Sequence, residues 1–398
     1  TEGALAAGRV YITLAVIGET ALLAGLLIGA QAADSLQITA VREALAVAPL
    51  GSVALALLII GFGIKAGMVP LHVWLPLAHP VAPVPGSAVL SGAIVKAGLI
   101  GLVLFLPAGT GWGGLLVALG FLGAFGAALW GLTQRNPKAV LAYSTVSQMG
   151  LMLALVGAGQ SAAFYALHHG LAKGALFLLV GVTAAASGTT ARRVTLVLSG
   201  IVALSVAGLP LTGGALAKAA VKDGLAPAAA WAVTLSGVTT TLILGWFLHR
   251  LAVSIKPAPG PNWAALLAGT ALLGAAALLL PWLLWSGTTD LPAGYPLRPG
   301  TMFDAAWPVL LGLALAAVLL RRPPPEQPPG DLLTLWRRPV LSPATHGPAV
   351  ALPRPPLRRL MRLLVLTRRP EGAVQRWSTA GLLLVGTVLL LAILLAAG

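Results

Sequence analysis

The chain has 398 residues and a formal net charge of +15, yet only 9% of its residues are charged and 58% are apolar. A soluble domain carries roughly 25% charged residues, and a chain this apolar is not disordered. The composition therefore excludes a soluble enzyme and a nucleic-acid binder, and the lack of cysteine excludes iron–sulfur ligation, disulfides and thiol chemistry on this chain.

A membrane-spanning helix takes about 20 apolar residues. Runs of that kind fall at 8–32, 49–79, 86–106, 112–133, 138–157, 161–186, 194–224, 227–250, 263–286, 303–320 and 375–397. They predict an all-α polytopic membrane protein of about 11 transmembrane helices. Two runs are too long for one straight span, and each has a breaker near its middle: Gly67 and Pro70 in 49–79, and Gly208, Pro210, Gly213 and Gly214 in 194–224. Both are expected to be helices broken inside the bilayer, as in an inverted-repeat transporter.

Basic residues set the orientation. With Arg9 inside and loops assigned alternately, 18 basic residues fall inside and only Arg42 and Arg298 outside, as the positive-inside rule requires. The composition also divides the chain. Residues 1–320 form a transmembrane core. Residues 321–373 hold 12 of the 30 prolines and 10 of the 18 arginines, and are expected to be a cytoplasmic linker. Its start, Arg321-Arg322-Pro-Pro-Pro, should be extended, and 357–369 has the pattern of an interfacial helix on anionic lipid, although a solvated basic linker would also fit. Residues 374–398 supply a final span.

Five basic residues remain inside spans: Lys65, Lys96, Lys173, Lys218 and Lys222. All are lysine, although lysine supplies only 7 of the 25 basic residues. Arginine keeps its charge everywhere, whereas a buried lysine can give up its proton at accessible pH. Intramembrane charge is costly, so a functional role is the default. For Lys222, near a span end beside Asp223, snorkelling to the headgroups is the simpler account. Glu19 is the carboxylate read as lying well inside a span. His169 and Lys173 are four apart and share a helix face, whereas His168 points about 100° away. His72 follows Lys65 by two turns if the helix continues. Ser144, Ser147 and Gln148 form a polar stripe that could hold water beside Lys173 or hydrogen-bond between helices. These residues suggest a proton path through a water-containing interior, made of Lys65, Lys96, Lys173, Lys218, His169, His72 and Glu19, with no catalytic, cofactor-binding or metal-binding residues.

The stretch from Lys65-Ala-Gly-Met-Val-Pro-Leu-His72-Val-Trp-Leu-Pro to Ser87-Ala-Val-Leu-Ser-Gly-Ala-Ile-Val-Lys96 resembles the antiporter-like subunits of respiratory complex I. The same family holds the membrane subunits of group-4 hydrogenases and formate hydrogenlyase, and of multisubunit cation/proton antiporters. Three further stretches match in family order: Asn136-Pro-Lys to Ser144-Thr-Val-Ser-Gln, His168-His169-Gly-Leu-Ala-Lys173, and Gly208-Leu-Pro-Leu-Thr212 to Lys218. The wording His79-Pro-Val-Ala-Pro looks most like the hydrogenase-type branch.

The resemblance implies a proton-translocating membrane subunit of a respiratory or hydrogenase-type complex, with no cofactor and no active centre of its own. Its partners would be other membrane-arm subunits and a peripheral redox arm, in a bacterial inner membrane. The alternatives are a subunit of a multisubunit Na+/H+ antiporter and a partner subunit of an inorganic-carbon uptake complex. Lys65 matches a family lysine that pairs with a glutamate on an earlier span. Lys96, Lys173 with His169, and Lys218 match the following lysines, and Glu19 an acidic position of some members. The pattern further implies about five spans ahead of Thr1, one of them carrying the glutamate that pairs with Lys65.

Overall fold

A computed structural model of the chain describes residues 2–157, 162–223, 225–256 and 262–330. Their regular structure is entirely helical. In order, the helices are α1 (Glu2–Ala33), α2 (Ile38–Val47), α3 (Gly51–Ala66), α4 (Trp74–Val81), α5 (Val84–Val89), a π-helical turn (Leu90–Ile94), α6 (Val95–Phe105), α7 (Trp112–Gly131), α8 (Pro137–Gly157), α9 (Ala163–Ala185), α10 (Thr189–Ala207), α11 (Gly213–Lys222), α12 (Pro227–Ser254), α13 (Trp263–Thr288), a 3-10 turn (Tyr295–Leu297) and α14 (Pro299–Arg321). Among the described residues, nine helices are long and apolar enough to cross a membrane. All the predicted runs up to 303–320 coincide with a helix or a broken pair. The run 375–397 and the segment 357–369 lie outside the described residues. The short helix α2 was not expected. It is below span length and packs through Val41 and Leu45, four apart on one face.

The two broken helices end their first halves in the same way. Gly67 and Gly208 adopt left-handed conformations with φ of 70° and 98°, which glycine reaches without a Cβ penalty. At each end the chain turns back on the helix. Met68 N–H donates to Gly63 O at 2.8 Å and Leu209 N–H to Leu204 O at 3.0 Å, the crossed pattern of a glycine C-cap. The chain then runs unwound to Val73 and Thr212 before α4 and α11 resume. The condition under which His72 would lie two turns after Lys65, an unbroken helix, is therefore not met. The helix stops at Gly67, and His72 sits in the unwound segment.

The central element is α8, buried along its length, with α4, α7, α9 and α12 packed around it. It starts at Asn136, whose side chain accepts from the Lys138 N–H at 2.9 Å, with Pro137 at the first helical position, where a missing N–H costs nothing. In contrast, α13 and α14 expose leucines such as Leu283 and Leu310, the side that lipid covers.

The arginines gather where helices end. Arg192, at the start of α10, donates to the last carbonyls of α12, Ala252 O and Ile255 O. Arg250 Nε donates to Arg135 O at 2.9 Å, and both guanidinium groups face the ring of Trp246. Cations suit helix C-termini. Beyond α14 the non-helical segment 323–328 returns across this end, where Arg135 donates to Pro324 O at 2.6 Å and Gln134 to Gln327 O at 3.1 Å.

Candidate functional site

Lys65 lies in the last turn of α3, directly before the first break. Its ammonium forms an ion pair with Glu19 of α1. Within the described residues the carboxylate that faces Lys65 is therefore Glu19, expected from the sequence as part of the path. Glu19 faces outward, with its side chain 61% exposed. Beside the pair is a cavity of about 50 Å³ lined by Tyr11, Trp74 and Ile94.

Lys96 follows the π-helical turn by two residues. Such turns insert an extra residue in a helix and recur at functional sites. Here the turn carries the acceptor: Lys96 Nζ donates to Ser91 O at 2.5 Å. The spacing to α9 is set by glycines. A Cβ on Gly170 would meet Gly92 O at 2.6 Å, and the same position lies 3.6 Å from Lys96 Cε. Only two glycines let the backbones approach that closely.

Lys173 is completely buried and donates to Ser144 Oγ at 2.6 Å and Leu141 O at 3.3 Å, both on α8. The same carbonyl also accepts from Thr145. Thr145 Oγ1 donates to Leu141 O at 2.9 Å and has a single proton, so in its 2.8 Å contact with Ser91 Oγ it must accept. Lys96 donates to the Ser91 backbone carbonyl, the Ser91 hydroxyl donates to Thr145, and Leu141 O accepts from both Thr145 and Lys173, so these groups lie in a row between the two lysines without one continuous hydrogen-bond chain. Of the polar stripe on α8, Ser144 alone touches Lys173. Ser147 donates to Ala124 O at 2.5 Å, and Gln148 donates to Thr240 at 2.7 Å while accepting from Tyr165, so both tie helices together.

The histidines separate. His169 is completely buried with neither ring nitrogen hydrogen-bonded, as is His79, which stacks on Phe177 with centroids 4.3 Å apart. His72 faces Tyr143 edge-on at 6.4 Å. His168 turns the other way and pairs with Ser205 Oγ at 2.9 Å, beside the second break. Past that break, Lys218 of α11 donates to Ala207 O at 2.8 Å and lines a cavity of about 30 Å³.

Residues 1–244 match the family described as NADH:quinone oxidoreductase/Mrp antiporter, transmembrane. The chain belongs to this family. Among its relatives it is 37% identical over 199 residues to hydrogenase-4 component B of Escherichia coli, covering 44% of this chain and 30% of the relative. It is 31% identical over 242 residues to Na(+)/H(+) antiporter subunit A1 of Staphylococcus haemolyticus, covering 52% of this chain and 30% of the relative. The chain thus spans under a third of the length of either curated relative. The Mrp complex from a Dietzia species superposes with a TM-score of 0.64 at 25% identity, covering 98% of this chain and 46% of that one.

Within this family member, the described buried ammonium groups hold carbonyl and hydroxyl oxygens. Among the described residues, Lys65 is the lysine with a carboxylate in salt-bridge contact. A lysine ammonium offers three protons, and the partners named for Lys96 and Lys218 account for one each. Such sites favour groups that can exist uncharged, which is what proton exchange requires. The Ser91–Thr145 and His168–Ser205 contacts were not expected from sequence. The signal for Thr145 was present, since it stands inside the polar stripe.

Proposed function

We propose that this chain carries protons across the membrane for a larger energy-converting complex, through Lys65, Lys96, His169, Lys173 and Lys218, with Glu19 paired to Lys65 and His72 in the unwound segment that follows it. The observation that carries this reading is the set of buried hydroxyls, Ser91, Thr145 and Ser144, placed between the buried amines of Lys96 and Lys173. The two amines are on different helices, and because the Ser91 and Leu141 carbonyls only accept, the proton would pass by way of the hydroxyls and water between them. The Glu19–Lys65 pair would act as the latch: closed, it holds the Lys65 charge in place, and open, it lets that charge act on Lys96. An ion pair at this depth with one partner facing outward needs protein to cover it, which supports neighbouring membrane subunits as partners. The match to hydrogenase-4 component B favours a redox complex with a peripheral arm, set in a bacterial cell membrane.

A second reading, exchange of protons for Na+ or K+ without a redox partner, is favoured by the superposition on an Mrp complex. Affinity purification of the full-length protein from mild-detergent membranes, with mass spectrometry of what accompanies it, separates the two. A hydrogenase or quinone-reductase arm supports the first. Small membrane subunits alone support the second, and Na+/H+ exchange in vesicles would follow.

A further inference from the structure

The cavity beside Lys218 extends past it. It measures about 30 Å³, space for about two waters at ~10–15 Å³ each. The second break forms one wall, Thr234 and Gly237 of α12 another, and Asp304 of α14 the third. Lys218 and Lys222 are four apart on α11 and share its face; both line the cavity. Exposure rises along it: Lys218 is buried, Lys222 is half-buried with Nζ 3.4 Å from Thr234 Oγ1, and Asp304 is exposed. Lys222 closes α11, Thr234 lies two turns into α12, and Asp304 lies in the second turn of α14. All three stand toward the end of the bundle away from Arg192, Arg250 and Arg321, which the positive-inside rule puts outside.

Asp304 stands one turn inside an otherwise apolar helix, at its outer end, and lines the same cavity as Lys218 and Lys222, so it joins the buried lysine to the exposed surface. We propose that Asp304, with Lys222 and Thr234, forms the outlet through which Lys218 exchanges its proton with the outer solution. The proposal rests on Lys218 being a proton carrier. In the outward step an N–H bond of the Lys218 ammonium breaks and a cavity water takes the proton. That water passes one of its own protons to the Asp304 carboxylate, which releases it outside. Lys218 is left as a neutral amine, and Asp304 returns to the carboxylate. The Lys222 charge beside the path opposes return of the proton.

The chain contains no cysteine, which makes the outlet directly testable. Single substitutions Thr234→Cys and Leu235→Cys are placed in the full-length protein in its complex. They are exposed to membrane-impermeant trimethylammonium methanethiosulfonate in right-side-out and in inverted vesicles. The expected result is labelling of Thr234→Cys from the outer side only, and faster than Leu235→Cys, whose side chain lies on the exposed side of the same helix. Labelling from the inner side, or no faster than at the neighbour, overturns the outlet whatever the transport rate. In parallel, Asp304→Asn should slow proton flux on the order of tenfold, with Asp304→Glu restoring it. Normal flux in Lys218→Ala would overturn the proton path itself. Loss in Lys218→Ala with normal flux in Asp304→Asn would overturn only the outlet.

Discussion

Thr145→Val keeps the branched shape of the side chain and removes a hydroxyl that lies between Lys96 and Lys173. Two hydrogen bonds go with it, from Ser91 at 2.8 Å and to Leu141 O at 2.9 Å. Leu141 O keeps its contact with Lys173, but the Ser91 hydroxyl, completely buried, loses its acceptor. A buried polar group left unpaired costs about 1–3 kcal/mol. If these hydroxyls carry the proton, the same loss appears in the barrier and slows flux roughly 5- to 150-fold. The assay is pH-dye quenching in proteoliposomes holding the full-length protein in its complex, with assembly scored on native gels. Thr145→Ser retains the hydroxyl and should keep most of the flux. Wild-type flux in an assembled Thr145→Val complex would refute this route. So would equal loss in the Val and Ser variants, because the effect would then follow the methyl group rather than the hydroxyl.

Lys96→Ala and Lys65→Ala should each abolish proton translocation with assembly retained, and Lys96→Arg should fail as well, because arginine holds its proton; flux with native-gel assembly checks all three. Gly67→Ala and Gly208→Ala should each lose about 1–2 kcal/mol for the left-handed backbone, read as a lower unfolding midpoint in detergent. Only Gly208→Ala should also lower flux, since its Cβ would stand 3.1 Å from Lys218 Cδ, whereas the nearest atom to a Cβ on Gly67 is Leu75 Cδ2 at 4.0 Å. Glu19→Gln should reduce assembly more than the double change Glu19→Gln with Lys65→Met, because the single change leaves an ammonium at mid-membrane without its carboxylate; native-gel yield of the three complexes is the measure.

Span-length apolar runs were legible in the sequence because the bilayer imposes one length on every crossing helix. The breaks were legible because Gly67 and Gly208 combine with nearby prolines in a way that a straight helix does not tolerate. Where a rule acted over one helix, as for His169 with Lys173, the sequence sufficed. The Glu19–Lys65 pair closes 46 residues and the Ser91–Thr145 contact 54, separations at which no periodicity reports a neighbour. His72 would follow Lys65 by two turns only in an unbroken helix, and which neighbour it meets past the Gly67 cap is set by tertiary packing that spacing does not report. Asp304 went unremarked because the span was drawn from 303, whereas the helix begins at Pro299 and leaves the acid one turn inside it. The helix α2 was missed because a search for spans ignores ten-residue amphipathic helices.

The most direct test of proton passage through this chain is flux through the reconstituted complex with Lys173 replaced by Met and, separately, by Arg. Lys173 is fully buried and donates to Leu141 O and Ser144 Oγ of α8. The account predicts an assembled complex with little or no proton output in either variant, while the driving reaction or counter-ion site of the partner subunits remains intact. Wild-type proton output from an assembled Lys173→Met complex would contradict it.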